Sequence, residues 1–464
     1  MSISQINIKE FKQNFTVSKE DKLKYGEIYT PFSLIDQMLN LFDPKVFLNK
    51  DAKWLDPGAG TGYFSIYLFH KLFEGLKPVF PDAEERKSHI IENMLYMVEI
   101  KESNILILRE QFGDKANIFH MDFLVYQPTI QFDFVIGNPP YNTNGLKKVP
   151  TNTQRNKKNE EGQTIWISFV KYSLTLLKTL TGQLCVIVPA IWMKPDKARM
   201  YQYLMTYKIE KIHCLTNTET NKIFNGNAQT PTCFFLLTKC ADLEHYIDLY
   251  DLKNQKYIPY YCQPSYPIPL FGAAILNKIQ PFIARAGSLA ATVLKTNMPP
   301  LSAKFSPTYI FPYVYPNIKT CLLKDDDGLT PELVVNYSLS PQVYYEKKKL
   351  VLAHKMYGFP FLDTAGKYGI SNRDNYVILK NNTTELCQLK DFLSTKFVLY
   401  IYEATRYRMK YLEKYAFQFL PDICNLPDFP IEITDESVAT YFGLEETDKD
   451  HINHFHKKNY GRFA

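Results

Sequence analysis

The eight cysteines, at positions 185, 214, 233, 240, 262, 321, 387 and 424, include no Cys-x-x-Cys pair. That spacing argues against a zinc knuckle or a dithiol redox motif, and no metal site is expected. Several cysteines sit inside apolar runs such as GQLCVIVPA, where a reduced core thiol is expected. No apolar stretch reaches the roughly 18 residues of a membrane span, and no secretory leader pattern opens the chain. The expectation is a soluble, cytoplasmic protein with no membrane partner. Charge of one sign is also sparse: the net is +6 over 464 residues, which is compatible with a polyanionic partner but does not require one. Internal repeats are missing too. What the chain has in quantity is aromatic side chains, 33 Tyr and 32 Phe. Compositional bias produces such an excess as readily as stacking function does. With 45% hydrophobic and 22% charged residues the chain is globular, and its length fits two or three domains around a sizeable core.

Residues 1–25 read as a polar, irregular extension. TPFSLIDQMLNLF (30–42) then places Phe32, Ile35, Leu39 and Phe42 on one helical face. AKWLDPGAGTGYFSIYLFHKLF (52–73) reads as a short strand, a glycine turn and a helix. The segment 75–90 has prolines and charges together and reads as a surface insertion. Strands follow at MLYMVEI (94–100), NIFHMDF (117–123), FDFVIG (132–137), GQLCVIVPAIW (182–192), KIHCL and TCFFLLTK (232–239), with helices at ESNILILREQF and WISFVKYSLTLL. Strands alternating with helices predict a doubly wound, mostly parallel, seven-stranded α/β sheet over 26–258. PYYCQPSYPIPLFG (259–272) reads as a linker, 266–425 as a mixed α+β domain, and 426–464 as a charged tail with a short helix or two.

In open α/β sheets, ligands sit at the carboxyl ends of the strands. The unusual polar residues Asp56, Glu99, Asp122 and Asn138 all fall at such ends. DPGAGTG (56–62) has Gly-x-Gly-x-Gly spacing, and no Lys-Ser/Thr follows, so it is not a phosphate P-loop. Glycine there allows positive φ and close backbone approach. An adenosine-bearing ligand needs an acceptor for its ribose hydroxyls, supplied by Glu99, and one for its exocyclic amine, supplied by Asp122. Phe123 is placed to pack on its base. Next comes NPPY (138–141). Asn138 offers a carbonyl oxygen, and Pro139 lacks an N–H, leaving its own carbonyl as a nearby acceptor. The two prolines, Pro139 and Pro140, stiffen the corner. Tyr141 adds a flat ring. The set suits a planar group bearing an NH₂: two oxygens bind its two N–H bonds, and the ring stacks on its face.

YTP at 29–31, DPGAGTG at 56–62, VEI at 98–100, DF at 122–123 and NPPY at 138–141 together resemble the S-adenosylmethionine-dependent DNA amino-methyltransferases. The motif order is that of the gamma class, in which the cofactor motif precedes the catalytic one and a target recognition domain follows. The resemblance runs from about Lys24 to Lys239, and more loosely through 266–425. It implies a Rossmann-like catalytic domain at 26–258 and a DNA-binding domain at 266–425. It also implies transfer of a methyl group from S-adenosylmethionine to adenine N6 in double-stranded DNA, in a restriction–modification setting with a separate restriction endonuclease as a potential partner. By the same resemblance, Tyr29, Thr30 and Pro31 lie near the methionine moiety. Asp56, Gly58 and Gly60 form the cofactor loop, Glu99 binds ribose, and Ile100, Asp122 and Phe123 surround the adenine. Asn138, Pro139, Pro140 and Tyr141 hold the target base, and Phe224, in NKIFNGNAQTPTCFFLL, supplies a further contact to it. Glu99 lies 43 residues after Asp56 rather than the usual roughly 20, a gap that the 75–90 insertion accounts for.

Basic residues suited to phosphate contact are Lys147, Lys148, Arg155, Lys157 and Lys158, directly after the catalytic corner, and Arg406 and Arg408 among tyrosines. Solvated charge reads the same way at either place. His451, His454 and His456 lack carboxylate or Cys partners at ligand spacing and read as exposed tail histidines. Three other readings stay open: a glutamine-amide or RNA-adenine methyltransferase sharing the NPPY chemistry, a cytosine-N4 methyltransferase, and a non-catalytic DNA-binding subunit.

Overall fold

The computed structural model describes residue 3 and residues 17–143, 163–323, 331–354, 358, 360–408 and 411–455. By contacts the chain divides into two units. One is Met1–Tyr250 with Tyr257–Ser265 and Tyr407–Met409; the other is Asp251–Lys256, Tyr266–Arg406 and Lys410–Ala464.

The first unit is built on a sheet of β1 (Trp54–Asp56), β2 (Leu95–Glu99), β3 (Asn117–His120), β4 (Phe134–Gly137), β7 (Gln183–Pro189), β8 (Tyr207–Leu215), β9 (Thr232–Ala241), β10 (Tyr246–Asp251) and β11 (Lys256–Tyr261); a two-stranded pair, β5 (Asn142–Thr143) and β6 (Gln163–Thr164), stands apart. The order is β11-β10-β8-β9-β7-β4-β1-β2-β3. β1 pairs in parallel with β2 and β4, β2 with β3, and β4 with β7, whereas β9 runs antiparallel to both β7 and β8. The sheet therefore has nine strands, not seven. Beyond β8 the edge is extended by the six-residue β10 and by β11, whose Tyr- and Pro-bearing segment carries no clean alternation. Strand order switches between β1 and β4, with β2 and β3 added on one side and β4 and β7 on the other, so a crevice opens where Asp56 and Asn138 end their strands.

The helices of this unit are α1 (Lys19–Tyr25), α2 (Phe32–Leu39), α3 (Tyr63–Gly75), α4 (Ala83–His89), α5 (Glu102–Phe112), α6 (Trp166–Leu176), α7 (Met200–Leu204) and α8 (Asn217–Ile223). Two of them correct the sequence reading. The extension 1–25 contains α1, because Ser18 accepts from the Asp21 N–H at its start and Gly26 takes a left-handed conformation at its end. The 75–90 insertion contains α4, capped by Asp82, with Glu84 and Glu85 in its first turn. Arg86 of α4 is buried; its guanidinium lies over the Phe73 ring at 4.0 Å and donates to the Phe80 carbonyl. Pattern reading missed both helices because each is only two turns long and polar.

The second unit holds β12 (Val293–Lys295), β13 (Phe305–Ser306), β14 (Tyr315–Leu323), β15 (Pro331–Ser338), β16 (Lys349–Ala353), β17 (Pro360–Asp363), β18 (Gly369–Ile370) and β19 (Asn375–Leu379), in two four-stranded sheets ordered β12-β19-β16-β17 and β13-β15-β14-β18. Its helices are α9 (Ala273–Ala286), α10 (Thr383–Leu393), α11 (Lys396–Ala404), α12 (Asp435–Tyr441) and α13 (Glu446–Phe455). In α13, His451 is half-buried against Tyr400, with ring centroids 5.6 Å apart, so it is a packing residue rather than an exposed tail histidine. His456 lies outside the described residues. Among the described residues no cluster of metal-ligating side chains occurs, and no helix is long and apolar enough to cross a membrane.

Under the sheet of the first unit, Trp54 stacks on Phe134 at 4.1 Å and on Phe47 at 5.6 Å, with Phe42 edge-on at 5.3 Å. This packing fixes β1 to β4 and hence the crevice. Trp54→Ala is expected to cost about 3–5 kcal/mol, read as a lower urea midpoint by far-UV circular dichroism.

Candidate functional site

A cavity of about 480 Å³ opens at the carboxyl ends of β1, β2, β3 and β4, within the size range of small-molecule sites. Its floor is the glycine turn after β1, which is pinned in two ways. The Ala59 N–H donates to the Val98 carbonyl at 3.0 Å, and the Gly60 N–H donates to Glu99 Oε2 at 2.7 Å. Gly60 has φ +54°, so the turn needs a residue without a Cβ penalty there. The other Glu99 oxygen accepts the Lys101 N–H at 2.8 Å. Burial raises the Glu99 carboxyl above its ordinary range despite these bonds. A carboxylate has about four acceptor positions, so Glu99 keeps capacity toward the cavity.

Of the residues singled out in the sequence, Tyr29, Thr30, Gly58, Gly60, Glu99, Ile100, Asp122, Phe123, Asn138 and Pro140 line this cavity. Asp122 is exposed and caps a short turn by accepting from the Leu124 N–H at 2.9 Å, while Phe123 is buried against Phe169, centroids 5.1 Å apart. Asp56 and Pro31 do not line it. Asp56 is instead buried beneath the turn. Ser65 Oγ donates to its Oδ2 at 3.2 Å, its Oδ1 has no partner, and a Cβ on Gly137 would come within 3.3 Å of that Oδ1. Burial pushes the Asp56 carboxyl up to about 7.

The front wall is the segment 24–30, which the sequence reading had left largely without a role. Glu27 accepts from the Tyr29 hydroxyl at 2.8 Å, from Asn104 Nδ2 at 3.0 Å and from Lys101 Nζ at 3.3 Å; Lys101 also pairs with Asp21 at 2.8 Å. Thr143 Oγ1 donates to the Lys24 carbonyl at 2.8 Å. Apart from Tyr29 with Glu27, these contacts join residues far apart in the chain, so no local spacing signals them. Gly26 has φ +68°, and a Cβ there would fall 2.1 Å from the Asn142 carbonyl oxygen. The segment therefore lies directly against the NPPY corner.

At that corner Asn138 Nδ2 donates to Thr30 Oγ1 at 3.1 Å and to the Ile28 carbonyl at 3.5 Å. Its Oδ1 is buried and has no hydrogen-bond partner. Behind it lies a second, small cavity of about 10 Å³ lined by Gly26, Ile28, Asn138, Pro139, Tyr141, Phe224 and Ala228. Tyr141 is buried, its hydroxyl donates to the Ile187 carbonyl at 3.4 Å, and burial holds its phenol far above the usual range. Sequence-distant Phe224 and the NPPY residues thus share one cavity.

The run holding Lys147, Lys148, Arg155, Lys157 and Lys158 lies outside the described residues. The residues that bracket it, Thr143 and Gln163, pair across β5 and β6 beside the corner. Arg406 pairs with Glu403 at 3.0 Å and Arg408 is half-buried. Helix α11 ends at Ala404, so these arginines do not lie on a continuous helix.

Because Asp56 is protonated more readily in the fold than when unfolded, its contribution to stability is fully present below about pH 4 and is lost as pH rises through about 7. Asp56→Asn, which stays neutral, is expected to gain on the parent across that window, by up to about 4 kcal/mol at 1.36 kcal/mol per pH unit. Thermal melts at pH 4, 6 and 8 check this; a gap that does not widen with pH contradicts it.

The family profile described as Eco57I restriction-modification methylase matches residues 63–224. An uncharacterized adenine-specific methylase of Mycoplasma pneumoniae is 32% identical over 103 residues, which are 22% of this chain and 24% of that protein. The type II methyltransferase M.BstVI of Geobacillus stearothermophilus is 24% identical over 249 residues, 49% of this chain and 44% of that one. The chain thus spans less than half the length of these curated relatives. Among solved structures, a modification subunit of a putative type I restriction enzyme from Vibrio vulnificus aligns at 17% identity, covering 53% of this chain and 51% of that one with a TM-score of 0.38.

Proposed function

We propose that this chain transfers the methyl group of S-adenosylmethionine to the N6 amine of an adenine flipped out of double-stranded DNA, as the modification component of a restriction–modification system. The observation that carries the reading is the buried, unpartnered Oδ1 of Asn138, set at the edge of a nucleoside-sized cavity whose other walls are Glu99, Asp122 and Phe123. The span matched by the methylase profile includes all four of these residues and Phe224.

The residues suit the cofactor. Glu99 offers acceptor capacity for ribose hydroxyls, Asp122 an exposed carboxylate for an exocyclic amine, and Phe123 an apolar wall for a base. When bound, the cofactor supplies an electrophilic methyl group. Asn138 Oδ1 accepts one N–H of the target amine, and the Pro139 carbonyl is placed in sequence to accept the other. Holding both hydrogens frees the nitrogen lone pair from the purine ring. Fixing the amine in line with the methyl contributes proximity, worth up to roughly 7–11 kcal/mol in well-oriented systems. The NPPY motif itself carries no strong base, and none is required, since the nitrogen sheds its proton after alkylation. The Thr30 hydroxyl anchors the Asn138 amide, and the acceptor-only Ile28 carbonyl on the nitrogen side leaves the amide oxygen for the base. Extruding the base costs a few kcal/mol, which stacking on Tyr141 offsets in part. The basic run at 146–159 and Arg406 and Arg408 are the proposed phosphate contacts.

Incubation with radiolabelled S-adenosylmethionine and unmodified duplex DNA tests this. The parent is expected to label DNA in preference to structured RNA or a release-factor glutamine. Asn138→Ala is expected to lose about a hundredfold or more of that rate, on the scale of removing one transition-state hydrogen bond, while still binding the cofactor by calorimetry. An unlabelled duplex with the parent, or full activity in Asn138→Ala, refutes the reading. Thr30→Val is expected to lower kcat by about tenfold or more, since it removes the shorter of the two hydrogen bonds that hold the Asn138 amide.

A further inference from the structure

Residues Leu252–Leu323 contain seven lysines and arginines and no aspartate or glutamate. Three of the cations are used inside their own unit: Lys253 and Lys278 pair with Asp448, and Arg285 pairs with Asp428. Lys304 and Lys319 are exposed and make no ion pair among the described residues. Lys304 opens a solvent-facing stretch that leaves the sheet edge at β13, where Phe305 and Ser306 pair with Ser338 and Tyr337 of β15.

That stretch ends in an exposed apolar tip. Tyr309, Ile310 and Phe311 are 66%, 58% and 85% exposed. Ile310 and Tyr313 exchange both backbone hydrogen bonds, at 2.6 and 3.4 Å, so Phe311 and Pro312 are the central residues of a tight turn with the phenyl ring at its apex. Tyr309 is braced edge-on against Tyr337, centroids 5.7 Å apart at 83°. Three adjacent large side chains held in water on a hydrogen-bonded turn mark an interaction surface rather than scattered surface apolars. The occupant must take a flat apolar ring and, a few residues before it in the chain, an exposed lysine without an ion pair among the described residues. Duplex DNA offers both: phosphates for the lysines, and base steps that apolar side chains can wedge open.

We infer that the Tyr309–Phe311 turn is a duplex-DNA contact in which the Phe311 ring enters the base stack and Lys304 lies on an adjacent phosphate. The inference rests on the DNA reading above and adds the element that grips the duplex. It is tested with the full chain by fluorescence anisotropy, using a labelled random-sequence duplex with S-adenosylhomocysteine present. Phe311→Ala is expected to weaken duplex binding about tenfold, the scale of losing one aromatic–base stack. Lys304→Gln is expected to lower the slope of log affinity against log salt by about one. Both variants should bind S-adenosylhomocysteine as the parent does, showing that they are folded. Parent-like duplex affinity in Phe311→Ala overturns the inference. So does light scattering that finds the parent dimeric and Phe311→Ala monomeric, which assigns the turn to self-association. If duplex binding depends on Phe311 but the parent transfers no methyl group, the contact stands and the proposed reaction falls. If transfer depends on Asn138 but binding ignores Phe311, only the contact falls.

Discussion

The orientation of one carboxamide governs the site. An asparagine side chain has two donors on nitrogen and an acceptor on oxygen, and a half-turn exchanges them. At Asn138 the exchange is opposed by the Ile28 carbonyl, which can only accept and sits on the nitrogen side, while the Thr30 hydroxyl anchors the amide in place. Turning the amide would set its carbonyl against the Ile28 carbonyl and lose that bond. The oxygen is left buried and unsatisfied, at a cost of roughly 1–3 kcal/mol. Such a cost persists in a fold only where neighbouring structure over-determines it. Here the over-determination comes from the segment before the sheet, with Gly26 pressed on the Asn142 carbonyl and Thr143 tied to the Lys24 carbonyl. The strand end and the front wall are therefore one device.

Carboxylates outnumber cations around the same cavity. Glu27, Glu99 and Asp122 line it with Lys24 and Lys101, Asp56 lies under its floor, and Lys101 is already used in bridging Glu27 to Asp21. Burial, more than mutual repulsion, raises Asp56 and Glu99. Backbone N–H groups of Gly60 and Lys101 offset part of that penalty at Glu99, whereas one Asp56 oxygen has nothing. A cation in the cavity would relax both groups, and this favours a positively charged ligand over a phosphate-bearing one. The glycine turn alone does not make that distinction, since such turns also cradle anions.

How far the sequence could be read follows from how local each feature is. All seven strands anticipated for the first unit are present because each is a β-branched or aromatic run bounded by turn residues. The convergence of Glu99, Asp122 and Asn138 was legible for a topological reason: parallel strands put their carboxyl ends on one edge. What stayed hidden depends on tertiary contact. Glu27 and Lys101 are unremarkable charges until α1 and the strand end are brought together. Asp56 has the sequence position of a ligand-facing carboxylate, yet Ser65 draws it under the turn. The edge strand β11 lacks alternation because its faces differ little in burial, and β10 buries Ile247 and Leu249 on one face but is too short to stand out. The Phe311 tip carried no signal, since exposure of an aromatic residue cannot be read from its neighbours in sequence.

The small cavity behind Asn138 raises a last constraint. At about 10 Å³ it has room for a single water-sized body, so a purine stacked on Tyr141 requires one wall to give way. Tyr141 is the fixed wall. Its hydroxyl is tied to the Ile187 carbonyl, its own carbonyl accepts the Ile165 N–H, and it follows two prolines. Phe224 stands at the end of a two-turn helix, and next come Asn225 and Gly226, both at positive φ. A Cβ on Gly226 would meet nothing within 4 Å. Displacing Phe224 exposes a core ring and bends a turn that Lys22 ties to α1 by donating to Asn227 Oδ1 at 2.9 Å, but it leaves the strand end untouched. Displacing Tyr141 would break the proline corner and, with it, the alignment of Asn138. For the proposed base to enter, moving Phe224 keeps the Asn138 amide where the Ile28 carbonyl and the Thr30 hydroxyl hold it, and moving Tyr141 does not.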